Sequence, residues 1–227
     1  MASRAEPTRS GFVRRFTLTE RLVHWIHATS FFALLASGLV LYVPSLSQWI
    51  SRRDLVKNVH IWTAVTWAVA LLLVVIYGNH GALAATWREV ESIDGDDRRW
   101  LRGRRAPQGR FNAGQKVNTI VTAAFAVLFA VSGFFLWLGE RNTAYRLDGA
   151  VAVHDWLMYI SLILVAGHLY LAVIHPTTRH ALRGITLGDV REDWARQHHA
   201  KWLADDDARR GQAVAPEAGA ALGRAGP

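Results

Sequence analysis

The residues best equipped for chemistry in this chain are its histidines, because several lie in stretches too apolar to solvate a charge. His24 and His27 fall in the first such stretch, His60 at the start of the second, and His154, His168 and His175 in the fourth. An ionisable group inside a membrane is costly and marks a functional position by default. His154 and His168 stand 14 residues apart. That is close to four whole helical turns, so both imidazoles leave one helix face, about 21 Å apart along the axis at about 1.5 Å per residue. Counted inward from the two membrane surfaces, His24 is level with His168, and His60 with His154. Two stacked bis-histidine sites across a four-helix bundle are what two low-spin b-type haems require: axial nitrogens from facing helices, room for a flat macrocycle and an apolar wall.

Each histidine also has a plainer reading. His154 and His168 can serve as interhelical hydrogen-bonding groups. His24 and His27 sit three apart on one helix face, so one alone can be axial, and spacing leaves the choice open. His60 lies near a boundary where an interfacial imidazole costs little, so its spacing is also compatible with no ligand role. His80, His175, His180, His198 and His199 fall at helix ends or in aqueous segments and read as solvated or headgroup-facing. Gly38, Gly133 and Gly167 either make room for a macrocycle or simply let helices pack closely. Asp155, beside His154, reads as a hydrogen-bond partner for an imidazole or for a neighbouring subunit rather than as a catalytic acid.

The elements that must position these side chains are four apolar runs near twenty residues long, at about Leu22 to Val43, Val59 to Gly78, Val117 to Leu138 and Val151 to His175. About 20 residues of helix cross a bilayer core, and backbone groups in lipid must be paired internally. Pro44 and Pro176 follow the first and fourth runs, where proline cannot continue a helix. The first run is too long for a signal-peptide core and reads as a retained span. The expected fold is therefore an all-α membrane protein, a four-transmembrane-helix bundle.

Lys and Arg set the orientation. The N-terminal stretch through Arg21 carries 5, the second loop through Lys116 carries 8 and the tail after Pro176 another 8, against 3 and 2 in the first and third loops. That asymmetry places both termini and the second loop in the cytoplasm. The net charge of +8 then reads as topology and contact with anionic membrane lipids, and no nucleic-acid module is evident. Several of the 10 tryptophans, including Trp25, Trp49, Trp62 and Trp137, fall near predicted interfaces as an aromatic belt.

The domain reading is a single unit: a cytoplasmic arm over 1–20, a di-haem membrane domain over 21–180, an amphipathic segment over 181–204 and a disordered tail over 205–227. The second loop, Asn79 to Gln115, is long enough to expect function or helix within it, with Leu83 to Val90 an interfacial helix. Arg183 to Leu203 reads as amphipathic on the cytoplasmic face, and the Ala/Gly/Pro-rich end as disordered. No tandem repeat is evident. The absence of cysteine excludes disulfides, thiolate zinc sites, iron–sulfur clusters held by this chain and covalent c-type haem. No H-E-x-x-H, phosphate-binding glycine loop, nucleophile elbow or paired intramembrane carboxylate is present.

At the level of motifs the chain resembles the cytochrome b (gamma) subunits of membrane-bound respiratory formate dehydrogenase, within the wider group that includes nickel–iron hydrogenase cytochrome b subunits. The resemblance runs from about Phe16 to Trp202. It rests on RFNAGQK (Arg110 to Lys116) before the third run, RLVHW around His24, the spacing of His154 and His168, GHLYLAV from Gly167, and RGITLGDVREDWARQHHAKW from Arg183. The second histidine at His27, a short first loop and a longer tail depart from the family pattern.

The resemblance implies that His24 and His168 ligate a cytoplasmic-side haem b and His60 and His154 a periplasmic-side haem b. It also implies a quinone, menaquinone or ubiquinone, contacted by Asn112, Gly114 and Gln115. Uncharged amide donors suit a quinone carbonyl, and glycine permits close backbone approach; the plainer reading is a turn that caps the third helix. The implied partners are an iron–sulfur (beta) subunit and a molybdenum or tungsten catalytic (alpha) subunit. On this reading electrons from outside reduce quinone with protons taken up inside. The alternatives are a cytochrome b subunit of a nickel–iron hydrogenase or another molybdenum or tungsten oxidoreductase, and, from a different class, a haem-free anchor or transporter whose histidines relay protons.

Overall fold

A computed structural model describes residues 11–208. Half of the N-terminal arm and most of the tail expected to be disordered lie outside the described residues. Four helices are long and apolar enough to cross a membrane: α1 (Leu18–Tyr42), α3 (Arg53–Tyr77), α6 (Ala113–Arg141) and the run Ala150–Ile174, which comprises α7 (Ala150–Leu169) and a π-helical turn over Tyr170–Ile174. At 25 to 29 residues each reaches about 37 Å or more, enough for a hydrocarbon core of about 30 Å. Large apolar side chains such as Trp62, Val69, Leu72 and Ile163 face outward along them, as lipid-facing positions must.

α1 begins earlier than its apolar run because a polar first turn supplies its cap. Thr17 and Glu20 form a reciprocal capping box at α1, with Thr17 N–H donating to Glu20 at 2.6 Å. Glu20 also accepts from the Thr86 hydroxyl. The C-terminal end of α3 docks beside this start: Asn79 N–H donates to Thr19 Oγ1 at 3.0 Å. A Cβ on Gly78 would lie 2.6 Å from Thr19 Cγ2, so only glycine admits that approach. The first loop is carried by α2 (Pro44–Ile50), which opens on Pro44, where proline's missing N–H costs nothing. The π turn closes through His175 N–H to the Tyr170 carbonyl at 2.9 Å, just ahead of Pro176.

The sequence reads as one domain, whereas backbone packing separates two compact units. One comprises 16–86 and 121–188; the other combines the described part of the arm with 87–120 and 189–208. The physical reason is that the second loop and the chain ends have a small core of their own, with Val13, Val90, Val190, Trp194, Ala195, Trp202 and Leu203 buried. Strand β1 (Phe12–Arg14) pairs antiparallel with β2 (Asp189–Arg191), Val13 opposite Val190. The stretch expected to be one amphipathic segment is thereby broken into α8 (Leu182–Leu187), β2 and α9 (Glu192–His198), with helix resuming over 200–208. Gly188, at φ +93°, supplies the left-handed turn that ends α8. Residues 205–208, assigned to the tail from sequence, are helical, and Asp207 lies 3.9 Å from Arg196.

The second loop contains α4 (His80–Glu91) and α5 (Gly95–Leu101). Asp97 caps α5 by accepting from Asp94 N–H and also receives the Lys116 ammonium at 2.6 Å. Lys116 donates further to the Ser92 carbonyl at 2.8 Å. Both partners are buried, Asp97 to 3% side-chain exposure. Lys116→Ala would leave a buried carboxylate uncompensated and should cost about 3–5 kcal/mol. The cost will appear as faster amide exchange across 87–120, and the paired change Lys116→Met with Asp97→Leu should restore much of the protection.

Candidate functional site

The unit built from 16–86 and 121–188 brings its intramembrane histidines together in two pairs. His24 on α1 faces His168 on α7 with ring centroids 6.4 Å apart and planes at 46°. His60 on α3 faces His154 on α7 at 6.4 Å and 63°. The rings that are level by residue count are the rings that meet. His27, left open by spacing, turns instead to α3, where its ring lies 5.9 Å from that of Trp67.

A direct imidazole–imidazole hydrogen bond is one use for such a pair, and two axial ligands of one metal is another. Metal–nitrogen bonds of about 2 Å on each side, plus about 1.1 Å from each ring nitrogen to its centroid, would put two imidazoles on one metal about 6.2 Å apart. Both pairs stand close to that spacing. No group of three or more His, Cys, Asp or Glu side chains converges on a metal position among the described residues. Two protein nitrogens suit a metal whose other ligands come from a macrocycle.

At one pair the outer ring nitrogens also have hydrogen-bond partners. Ser37 Oγ donates within its own helix to the Ala33 carbonyl at 2.8 Å and lies 2.9 Å from His60 Nδ1. Ser132 Oγ donates to the Leu128 carbonyl at 2.7 Å and lies 2.9 Å from His154 Nδ1. A hydroxyl has one proton: given to the carbonyl, it leaves the oxygen to accept from Nδ1–H, and given to Nδ1, it reverses that bond. In the first arrangement both imidazoles are Nδ1–H tautomers with the Nε2 lone pair available to a metal, and the residues fit haem. Gly38 and Gly133, adjacent to these serines, face the same rings: a Cβ would meet His60 Cε1 at 3.5 Å and His154 Cε1 at 3.4 Å. Gly167 has open space beside it, with nothing within 4 Å of an added Cβ. Phe129 stands edge-on to His154 at 5.0 Å as an apolar wall. Asp155 makes no hydrogen bond to His154 among the described residues, and Ser132 fills the place expected for it. Sequence reasoning missed both serines; the available signal was a Ser-Gly pair recurring 23 and 22 residues before His60 and His154.

Asn112, Gly114 and Gln115 belong to the other unit. Asn112 and Gln115 form a reciprocal cap at the start of α6: Gln115 N–H donates to Asn112 Oδ1 at 2.9 Å, and Asn112 N–H to Gln115 Oε1 at 3.0 Å. The plainer sequence reading thus describes their oxygens. Their amide NH2 groups donate no hydrogen bond among the described residues. Gly114 is not open for a ligand's approach as expected, because a Cβ there would press on the Trp100 indole at 3.2 Å. Arg15 reaches into this region, donating to the Arg110 carbonyl at 2.7 Å and to Gln115 Oε1 at 3.2 Å. Burial and the charge of Arg110 press its pKa down.

His199, expected to be solvated, is instead 2% exposed, and its Nδ1 lies 2.6 Å from the Gly109 carbonyl, to which it donates. Burial and the charge of Arg15 lower its pKa to about 3.

Four spanning helices with paired imidazoles between them are the marks of a membrane cytochrome b. The chain belongs to the prokaryotic cytochrome b561 family, whose model matches residues 15–188; it is a multi-pass membrane protein, and membership carries haem b and electron transfer. Among curated proteins it is similar to the formate dehydrogenase cytochrome b556(fdo) subunit of Escherichia coli K12, 25% identical over 84% of this chain and 92% of that one. It is likewise similar to the nitrate-inducible cytochrome b556(Fdn) subunit of the same strain, at 23% over 87% and 93%. The formate dehydrogenase cytochrome b556 subunit of Haemophilus influenzae is 21% identical over 90% and 87%.

The buried His199 makes a pH prediction outside the membrane. An ordinary imidazole titrates near about 6.5, so between there and about 3 the unfolded segment binds a proton that the folded one rejects. Stability of the unit containing His199 is full above that window and falls as pH falls through it. Amide protection over 189–208, taken relative to the intrinsic exchange rate at each pH, should fall from pH 7 to pH 5 in the wild type, and much less in His199→Gln, which keeps a donor for Gly109 without the titration.

Proposed function

We propose that the chain is the membrane-anchoring cytochrome b subunit of a respiratory formate dehydrogenase, carrying electrons from an iron–sulfur partner to quinone through two haem b sites. The observation that carries the proposal is the repeated 6.4 Å spacing of two facing imidazole pairs in a chain similar over most of its length to formate dehydrogenase cytochrome b556 subunits. His60 and His154 would hold one haem on the periplasmic side, and His24 and His168 the other on the cytoplasmic side. Each haem, when bound, supplies a one-electron couple.

The chain's own residues do the rest. Facing helices fix the imidazoles, and the outward Val, Leu and Trp side chains keep water and bulk ions from the spans. Asn112 and Gln115 would offer their amide NH2 groups to the carbonyls of menaquinone or ubiquinone. Formate oxidation in a molybdenum or tungsten catalytic partner releases carbon dioxide, a proton and two electrons; one quinone takes up those two electrons and two protons to become the quinol. With the arm, second loop and tail in the cytoplasm, as the distribution of Lys and Arg supports, release outside and uptake inside would charge a bacterial inner membrane. The nickel–iron hydrogenase reading keeps the same residues and changes the donor. It is less well supported, because the similar curated proteins carry formate dehydrogenase names.

The test is His168→Ala in the intact complex. The expected result is one haem per chain instead of two and loss of formate-driven quinol formation, with hydrogen unable to replace formate in the wild type. Retention of both haems in His168→Ala would refute the ligand assignment, and reduction by hydrogen alone would move the donor to the hydrogenase class.

A further inference from the structure

The two imidazole pairs share one spacing and differ in what holds their outer nitrogens. At His60 and His154 both Nδ1 atoms face a serine hydroxyl at 2.9 Å. Ser37 and Ser132 are buried, and each hydroxyl also lies within hydrogen-bond distance of a carbonyl of its own helix, which gives its proton an acceptor other than the ring. At the other pair His24 Nδ1 is buried without a hydrogen-bond partner, and His168 makes no hydrogen bond among the described residues.

We infer that Ser37 and Ser132 are positioning residues that hold His60 and His154 as Nδ1–H tautomers and make theirs the lower-potential of the two haem sites. An acceptor on Nδ1–H makes the opposite nitrogen a more basic ligand and pins the ring orientation. A more basic axial ligand stabilises the oxidised, more positive metal over the reduced one, which lowers the reduction potential. Two such hydroxyls stand at one site, and none at the other among the described residues. The fall in energy for an electron therefore runs from the His60/His154 pair toward the His24/His168 pair, the direction the proposed function requires.

The inference rests on the haem reading proposed above, and the experiment separates the two. The intact complex in membranes is titrated potentiometrically while the haem α-band is recorded, and His168→Ala identifies the wave that belongs to His60/His154. In the wild type that wave is the lower. Ser37→Ala and Ser132→Ala each raise it and leave the other in place; a tenfold loss of ferric preference reads as about 59 mV for a one-electron couple. Ser37→Thr and Ser132→Thr, which keep a hydroxyl, return it toward the wild-type value. Loss of the haem from this pair alone, reversed by threonine, also supports the assignment. Unchanged potentials in both alanine variants, equal shifts of both waves, or loss of both haems alike would overturn it. A wild-type complex without haem would instead sink the proposed function itself.

Discussion

Everything in the membrane unit follows from the cost of leaving a polar atom without a partner in hydrocarbon. Backbone groups meet that cost by forming helices, but an imidazole has two ring nitrogens pointing in opposite directions, and a helix satisfies neither. At the His60/His154 pair each outer nitrogen lies 2.9 Å from a serine hydroxyl that also reaches a carbonyl of its own helix, and the two rings face each other with centroids 6.4 Å apart. The i−4 carbonyl, usually a minor local partner of serine in helices, here offers the hydroxyl proton an acceptor other than the ring, the arrangement in which Nδ1–H donates and the inner nitrogen can bind a metal.

The same accounting explains the glycines. Gly38 and Gly133 each sit next to the serine in sequence and against the imidazole in space, so one Ser-Gly step both hydrogen-bonds the ring and makes room for it. The arrangement occurs twice, α1 serving a histidine on α3 and α6 serving one on α7. In the smaller unit the equivalent demand falls on Asp97, Lys116 and His199. There an ion pair and a carbonyl acceptor replace the serine, because charged partners can be afforded outside the lipid.

The spans and the matching of histidines by depth were legible in the sequence because a helix has a fixed rise and pitch: 14 residues place two rings on one face whatever surrounds them. The choice between His24 and His27 was not legible from spacing, since the two are neighbours on one face; it depends on Trp67 taking up His27, a contact between helices. Ser37 and Ser132 were hidden because a hydroxyl in an apolar run also reads as simple helix packing. The small core around Val13, Val190 and His199 was hidden for a different reason. Three-residue strands such as β1 and β2 carry too little periodicity to recognise, and their pairing joins parts of the chain far apart in sequence. Asn112 and Gln115 were legible as a pair, and their carboxamide oxygens proved to serve the start of α6.

The most direct test of the central claim is the haem content of the purified, folded chain, measured from its dithionite-reduced minus oxidised spectrum together with extracted haem per polypeptide. Two b-type haems per chain is the result expected from two imidazole pairs at one spacing. No haem, in a folded preparation supplied with haem, would contradict it and turn the four histidines into hydrogen-bonded pairs of an anchor or a proton relay.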